Sequence, residues 1–412
     1  VEPGFIEKEF LEKIEGNEFM ATNEGGGMTE NRRPSHAEAP TADKDRTQGD
    51  PPFRNISYCV RCCMPETNEG NAFDDFGICM ACRSSEQKMR INWHDRQQAL
   101  AELLDKAKAE SGNNYDCVVP ISGGKDSAFQ LHILVKIFGM TPLAVTFSHN
   151  WFTETGRYNL ENILERLNVD HMMYTPKRGL VDKLARKSLP MIGDACWHCH
   201  AGVWSYPFHV AAKFGISLII YGESPAEFSG RTTYWDQELP DKKDFVKVGL
   251  KESMKVGAEE MVGGDVSRKD LNLFFPPSPE ELDAAGVYGA FLGDYIFWDH
   301  ERQTEFLVDE YGWRETRMEG SYKWYKSVEC RMAGVHDYAK YVKRGFGRGT
   351  DFASQDVRAG LLTREEAFDL AAEVDAERPE TLDYYLKITG YSEEEFYKIL
   401  KDKRAGKAVD LP

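Results

Sequence analysis

The chain reads as an α/β protein with a parallel sheet covered by helices on both faces, preceded by a small cysteine-rich unit and followed by a helical region. Three observations predict this. Between residues 116 and 221 short apolar runs alternate with amphipathic stretches, the pattern of strands joined by helical crossovers. The apolar run Cys117–Ile121 passes directly into Ser-Gly-Gly-Lys-Asp-Ser at 122–127. Two Cys-x-x-Cys pairs, at 59–62 and 79–82, stand sixteen residues apart.

Along the chain, residues 1–54 are expected to form a disordered tail. Thr22 to Pro52 is polar, rich in Gly, Pro and charge, and almost without large apolar residues; Phe5–Ile14 has the pattern of a short amphipathic helix. Residues 55–92 hold the paired cysteines. Residues 93–233 form the sheet domain. A connecting helix at 94–110 leads to strand 116–121, helix 127–138 stopped by Gly139, and strand 142–149. Helix 154–167, strand 171–175, helix 180–188, helix 200–214 stopped by Gly215 and strand 216–221 follow. Residues 234–412 form an acceptor-binding and C-terminal helical region. It opens with a surface insertion at 234–264 and continues through an aromatic-rich stretch at 270–345. Helices over 363–404 are announced by two capping boxes, Thr363 with Glu366 and Ser392 with Glu395.

Composition narrows the function. The chain has 412 residues, 41% hydrophobic and 29% charged, with a net charge of −17. Such an acidic surface repels nucleic-acid backbone and argues against non-specific nucleic-acid binding. No apolar run reaches the length of a membrane span, and the N-terminus lacks the basic-then-apolar pattern of a signal peptide. Nine cysteines, four of them in the two pairs, suit metal binding in a reducing cytoplasm better than a disulfide framework.

The Ser122–Ser127 segment has the chemistry of a phosphate cradle. Gly123 and Gly124 let backbone approach an anion, and the amides opening the next helix point toward it with the helix dipole. Lys125 adds a cation, Asp126 is a candidate magnesium ligand, and Ser122 and Ser127 add hydroxyl donors. His149, Gly222 and Glu223 fall at the ends of other predicted strands. They converge on the same cleft, because open parallel sheets bind ligands beyond the carboxyl ends of their strands. Cys59, Cys62, Cys79 and Cys82 have the spacing of a closed four-thiolate zinc site, a structural ribbon.

The hexapeptide lacks the Walker spacing and resembles the PP-loop of ATP pyrophosphatases. The stretch from Ser57 to about Leu400 resembles, in order, the N-acetyl sugar amidotransferases of surface-polysaccharide and flagellar glycan pathways. The shared segments include Tyr58–Pro65, Gly77–Cys82, His149–Trp151, Thr155–Arg157, Leu218–Glu223, Phe291–Asp299, Glu319–Tyr322, Gly345–Arg348 and Ser354–Gly360. The resemblance implies a PP-loop fold of the adenine nucleotide alpha-hydrolase type, with ATP, Mg2+ and Zn2+ as cofactors. It implies that the acetamido carbonyl of an N-acetylated sugar or sugar nucleotide is adenylylated and then attacked by ammonia. Glutaminase and cyclase-like subunits would supply that ammonia. Lys125, Asp126 and Glu223 are the catalytic candidates. Ser122, Gly123, Gly124, Ser127, His149 and Gly222 join them as nucleotide contacts, and Arg348 and Trp298 are candidate substrate contacts.

One segment departs from that family. Asp194-Ala-Cys-Trp-His-Cys-His carries a Cys-x-x-Cys, and Cys196 lies 74 residues after Ser122. In position it resembles the tRNA thiolases, where such a pair helps hold an iron–sulfur cluster. Cys196 and Cys199 are therefore candidate cluster ligands, with Cys330, Cys63 or His200 as a third. This opens the alternative of a PP-loop sulfur transferase acting on tRNA or a small molecule. A further alternative is a non-catalytic zinc-ribbon protein that binds nucleotide.

Overall fold

Five parallel strands run in the order β3-β2-β1-β4-β5 in the computed structural model of the protein. They are β1 Cys117–Pro120, β2 Pro142–Phe147, β3 His171–Tyr174, β4 Leu218–Tyr221 and β5 Tyr288–Phe291. The structure describes residues 39–68, 70–228, 233–234 and 256–412. The expected helix at 5–14, and residues 235–255 of the expected insertion, lie outside them.

Period-two alternation explains how the sheet is buried on both faces. Cys117, Val119, Ala144, Leu218, Ile220 and Ala290 enter one apolar cluster. Their neighbours Val118, Leu143, Val145 and Ile219 enter the other. The first face is covered by α2 Trp93–Ser111, α3 Lys125–His132 and α4 Glu154–Leu167, and the second by α5 Arg178–Ile192 and α6 Trp197–Phe214. Ahead of these, α1 Met80–Lys88 carries the last cysteine of the second pair. The helix after β1 begins at Lys125, earlier than expected, and from Ile133 it widens, with the Phe138 amide donating to the Ile133 carbonyl.

The sheet is not confined to residues 93–233. Its fifth strand pairs with β4 in the register Ile219↔Gly289 and is preceded by the short α7 Pro279–Ala284. The sequence of β5 is Tyr-Gly-Ala-Phe. Four residues with an internal glycine, more than sixty positions after β4, gave the alternation nothing to extend.

The longer helices that follow are α8 His300–Tyr311, α9 Ala333–Arg344, α10 Arg348–Ala359, α11 Arg364–Asp375, α12 Thr381–Thr389 and α13 Glu393–Asp402. Both expected capping boxes are formed: Thr363 and Ser392 accept from the amides of Glu366 and Glu395, and those glutamates reach back. Residues 39–54, expected within the tail, pack instead against these helices. Phe53 and Ala39 are buried with Val335, Tyr341 and Leu411, and Arg46 pairs with Asp369. Two apolar anchors in a polar stretch are enough to dock it, and average composition conceals them.

Helix meets sheet closely at Gly202 of α6, where a Cβ would strike the Phe147 ring on β2. Gly202→Ala should therefore cost about 1–3 kcal/mol by overpacking, seen as a lower denaturation midpoint with an unchanged far-ultraviolet spectrum.

Candidate nucleotide site and cysteine centres

In a sheet ordered 3-2-1-4-5 the chain reverses its direction of growth between β1 and β4, so a crevice opens at their carboxyl ends. The Ser122–Ser127 loop leaves β1 at that point, and Gly222-Glu223 leaves β4 beside it. The loop is held by its own hydroxyls. Ser127 Oγ accepts from the Ser122 amide at 3.2 Å and donates to the Gly124 carbonyl at 3.0 Å. Ser122 Oγ accepts from the Gly124 amide at 3.2 Å. Gly123 has φ +87°, and a Cβ there would strike the Gly156 carbonyl oxygen at the start of α4. Trp313 Nε1 donates to the Gly123 carbonyl at 3.1 Å. Glycine is required here by both conformation and space.

Lys125 is buried, with its ammonium paired to Asp126 and 2.7 Å from Nδ1 of His300 on α8. Burial pushes the Lys125 ammonium down to about 8, against the pull of Asp126. Burial opposes ionisation of Asp126 as well, but Lys125, Lys326 and His300 outweigh it and hold that carboxyl well below the ordinary range. Trp298 Nε1 donates to Asp126 at 3.2 Å. Glu223 Oε1 lies 3.0 Å from His300 Nε2, and both atoms are buried and out of line for a hydrogen bond. Glu329 completes the mouth. Its Oε2 is buried without a hydrogen-bond partner and stands 3.2 Å from where a Gly124 Cβ would be.

The other expected residues fall as follows. His149 is buried at the end of β2, stacked on Phe152 at 4.5 Å, with Nδ1 accepting from the Trp151 amide at 3.1 Å. Burial and Arg157 push its imidazole down to about 4. Trp298, expected as a sugar contact, is 1% exposed and packs edge-on to Phe129. It offers no face for stacking and serves instead to orient Asp126. Arg348 opens α10 and is paired with Asp337 of α9, and its charge reaches Glu329. Sequence reasoning missed His300, Lys326 and Glu329. Each is a single polar residue in an aromatic-rich stretch, without a motif of its own.

Cys59, Cys62, Cys79 and Cys82 are all buried, with their sulfurs within 4.8 Å of one another. The separations Cys59–Cys82 and Cys62–Cys79 are 3.9 and 3.7 Å. Sulfurs about 2.3 Å from a central zinc are about 3.8 Å apart in a tetrahedron. The set therefore fits a metal, and a closed thiolate shell gives it a structural part. Arg364 of α11 donates to the Cys59 carbonyl at 2.9 Å and fastens this unit to the C-terminal helices.

Cys196 and Cys199 begin α6. The charge of Cys330 reaches both, so that cysteine shares their surroundings. Cys63 does not: it lies among Ala353, Ala367 and Phe368, 3.2 Å from Ser354 Oγ.

A family model for the C-terminal domain of WbpG-like LPS biosynthesis proteins matches residues 309–408. The C-terminal quarter of this chain is similar to that domain. The resemblance read from the sequence is borne out at this level. This region places Glu329 against the loop, and the charges of Lys326 and Arg348 act on Asp126 and Glu329 there. An uncharacterized protein of Methanocaldococcus jannaschii is 23% identical over 311 residues, 76% of this chain and 90% of that one. Among solved structures, the NMN synthetase of Francisella tularensis is similar at 16% identity over 48% of this chain and 93% of that one, with a TM-score of 0.28. The NH3-dependent NAD synthetase of Campylobacter jejuni is similar at 11% identity over 53% and 97%, with a TM-score of 0.27. At those values neither structure bears on function. No helix among the described residues is long and apolar enough to cross a membrane.

A lysine that discharges near pH 8 gives the site a signature. Lys125 is charged below that pH and neutral above it, so affinity for ATP, read by equilibrium titration, should fall as pH rises through about 8. Lys125→Arg, which stays charged, should remove the fall.

Proposed function

We propose that this protein is an ATP-dependent amidotransferase of surface-polysaccharide assembly. It splits ATP between the α and β phosphates and converts the acetamido group of an N-acetyl sugar to an acetamidino group. The observation that carries this reading is the glycine-pinned Ser122–Ser127 loop at the β1/β4 crevice, closed over by residues of a WbpG-like domain.

An amide carbon is a poor electrophile and its oxygen a poor leaving group. Attack of the acetamido oxygen on the α-phosphate releases pyrophosphate and leaves an adenylylated imidate. Ammonia then adds to the activated carbon, and AMP departs with the former amide oxygen. The residues contribute placement and charge. The Gly123–Gly124 backbone and the first amides of α3 receive phosphate, and Lys125 places a desolvated cation against the charge that develops as pyrophosphate leaves. His300 orients Lys125, and Trp298 orients Asp126. The orphaned Glu223 Oε1, with Asp126, fits a magnesium ion carried in with the nucleotide; that ion, when bound, neutralises phosphate charge. The crevice wall of Glu329, Lys326 and Arg348 is the acceptor side, so the sugar enters between loop and WbpG-like domain.

The supplier of ammonia is a separate glutaminase with a cyclase-like channel subunit, as the family resemblance implies. A second reading, sulfur in place of ammonia, has one observation in its favour: Cys196, Cys199 and Cys330 share one region.

With ATP, Mg2+, ammonium and an N-acetyl sugar nucleotide, the protein should form AMP and pyrophosphate in equal amounts, and neither without the sugar. Asp126→Asn, which keeps the shape but drops the charge, should lower that rate by about 10²–10³ without a loss of cooperative unfolding. Formation of ADP, or full activity in the variant, contradicts the proposal.

A further inference from the structure

Outside the nucleotide crevice and the four-thiol unit, one other group of donor side chains comes together among the described residues. Asp194, Cys196 and His336 place one ligand atom each within 4.8 Å of the others. Asp194 and Cys196 are buried and His336 is half-buried. Asp194 Oδ1 accepts from the Cys196 amide at 2.8 Å and faces His336 Nδ1 at 3.0 Å. These contacts fix the carboxylate at the head of α6 and bring α9 against it. His200 sits edge-on to His336 at 5.5 Å.

The surroundings are unusual for a thiol packed merely as an apolar group. Burial pushes Cys196 well up, and Asp194, Cys330, Cys199 and Asp337 add to the same push. A buried region where two carboxylates and three thiols surround the His336 and His200 imidazoles favours a cation. Carboxylate, thiolate and imidazole together are a zinc-type donor set. Ligand atoms about 2.0–2.3 Å from zinc lie roughly 3.3–3.8 Å apart, so a small closure of the present group would suffice. The ligands come from two bodies: Asp194 and Cys196 from the sheet domain, His336 from the WbpG-like domain.

We propose that Asp194, Cys196 and His336 form a second metal site, for a zinc-class divalent cation, that fastens the sheet domain to the WbpG-like domain. Cys199 or Cys330 supplies the fourth ligand. The site adjoins the nucleotide crevice through the chain itself, since Glu329 at the loop is the neighbour of Cys330. It does not depend on the proposed reaction.

The test is metal content of the full chain purified without chelator, by mass spectrometry. Two zinc ions per chain are expected. His336→Ala and Cys196→Ser should each reduce the count to one, while Cys62→Ser should remove only the other. Bound metal should also protect Cys196 in the wild type from alkylation, and chelator should expose it; this arm stands even where a variant fails to fold. One ion in the wild type, or a second that survives both His336→Ala and Cys196→Ser, overturns the proposal. So does iron with acid-labile sulfide that is lost in Cys199→Ser and Cys330→Ser but kept in His336→Ala.

Discussion

A buried ammonium group at the end of the central strand is the constraint on which the rest of the site depends. Lys125 has little contact with water, so its charge must be compensated by Asp126 and steadied by His300. Those partners come from α3 and from α8, which are separated in sequence by most of the sheet. The need to satisfy one cation thus fixes the docking of α8 over the loop. It also explains why Trp298, on the approach to α8, is buried against Asp126 and is not open to a sugar. The arrangement stores a positive charge in a place of low dielectric, where it acts strongly on an arriving anion.

The loop is held equally firmly from the other side. Gly123 lies on the Gly156 carbonyl, and a Cβ on Gly156 would in turn strike the Glu329 backbone. Thr153, which caps α4, donates its amide to the Glu329 carbonyl at 3.1 Å. Three successive layers, loop, helix and WbpG-like domain, are therefore in backbone contact with no room for a side chain between them. Movement of the C-terminal region would be felt directly at the Ser122–Ser127 loop. This contact gives a physical reason for one chain to join the Ser122–Ser127 loop to a region similar to a domain of LPS biosynthesis proteins.

Much of this was legible in the sequence, and the failures have definable causes. Four strands, most helices and both capping boxes follow from local patterns, because alternation and caps are properties of neighbouring residues. The four paired cysteines were legible for the same reason. β5 was not, since its partner is β4 and its own four residues carry no pattern. Residues 39–54 were misread because Phe53 is an isolated anchor in polar surroundings. Within the site, the hexapeptide announces itself, whereas His300, Lys326, Glu329 and His336 acquire meaning only from what lies opposite them. Trp298 shows the reverse error: an aromatic in a family-like segment suggested a ligand face, and burial assigns it to the framework.

The most direct test of the account follows the oxygen. With an N-acetyl sugar acceptor carrying 18O in its acetamido group, and with ATP and ammonium, the label should appear in the phosphate of AMP. Phosphorus NMR would detect it by its isotope shift, with pyrophosphate unlabelled. Label retained in the sugar, or carried into orthophosphate with ADP as the nucleotide product, would show that the acetamido oxygen never attacks the α-phosphate.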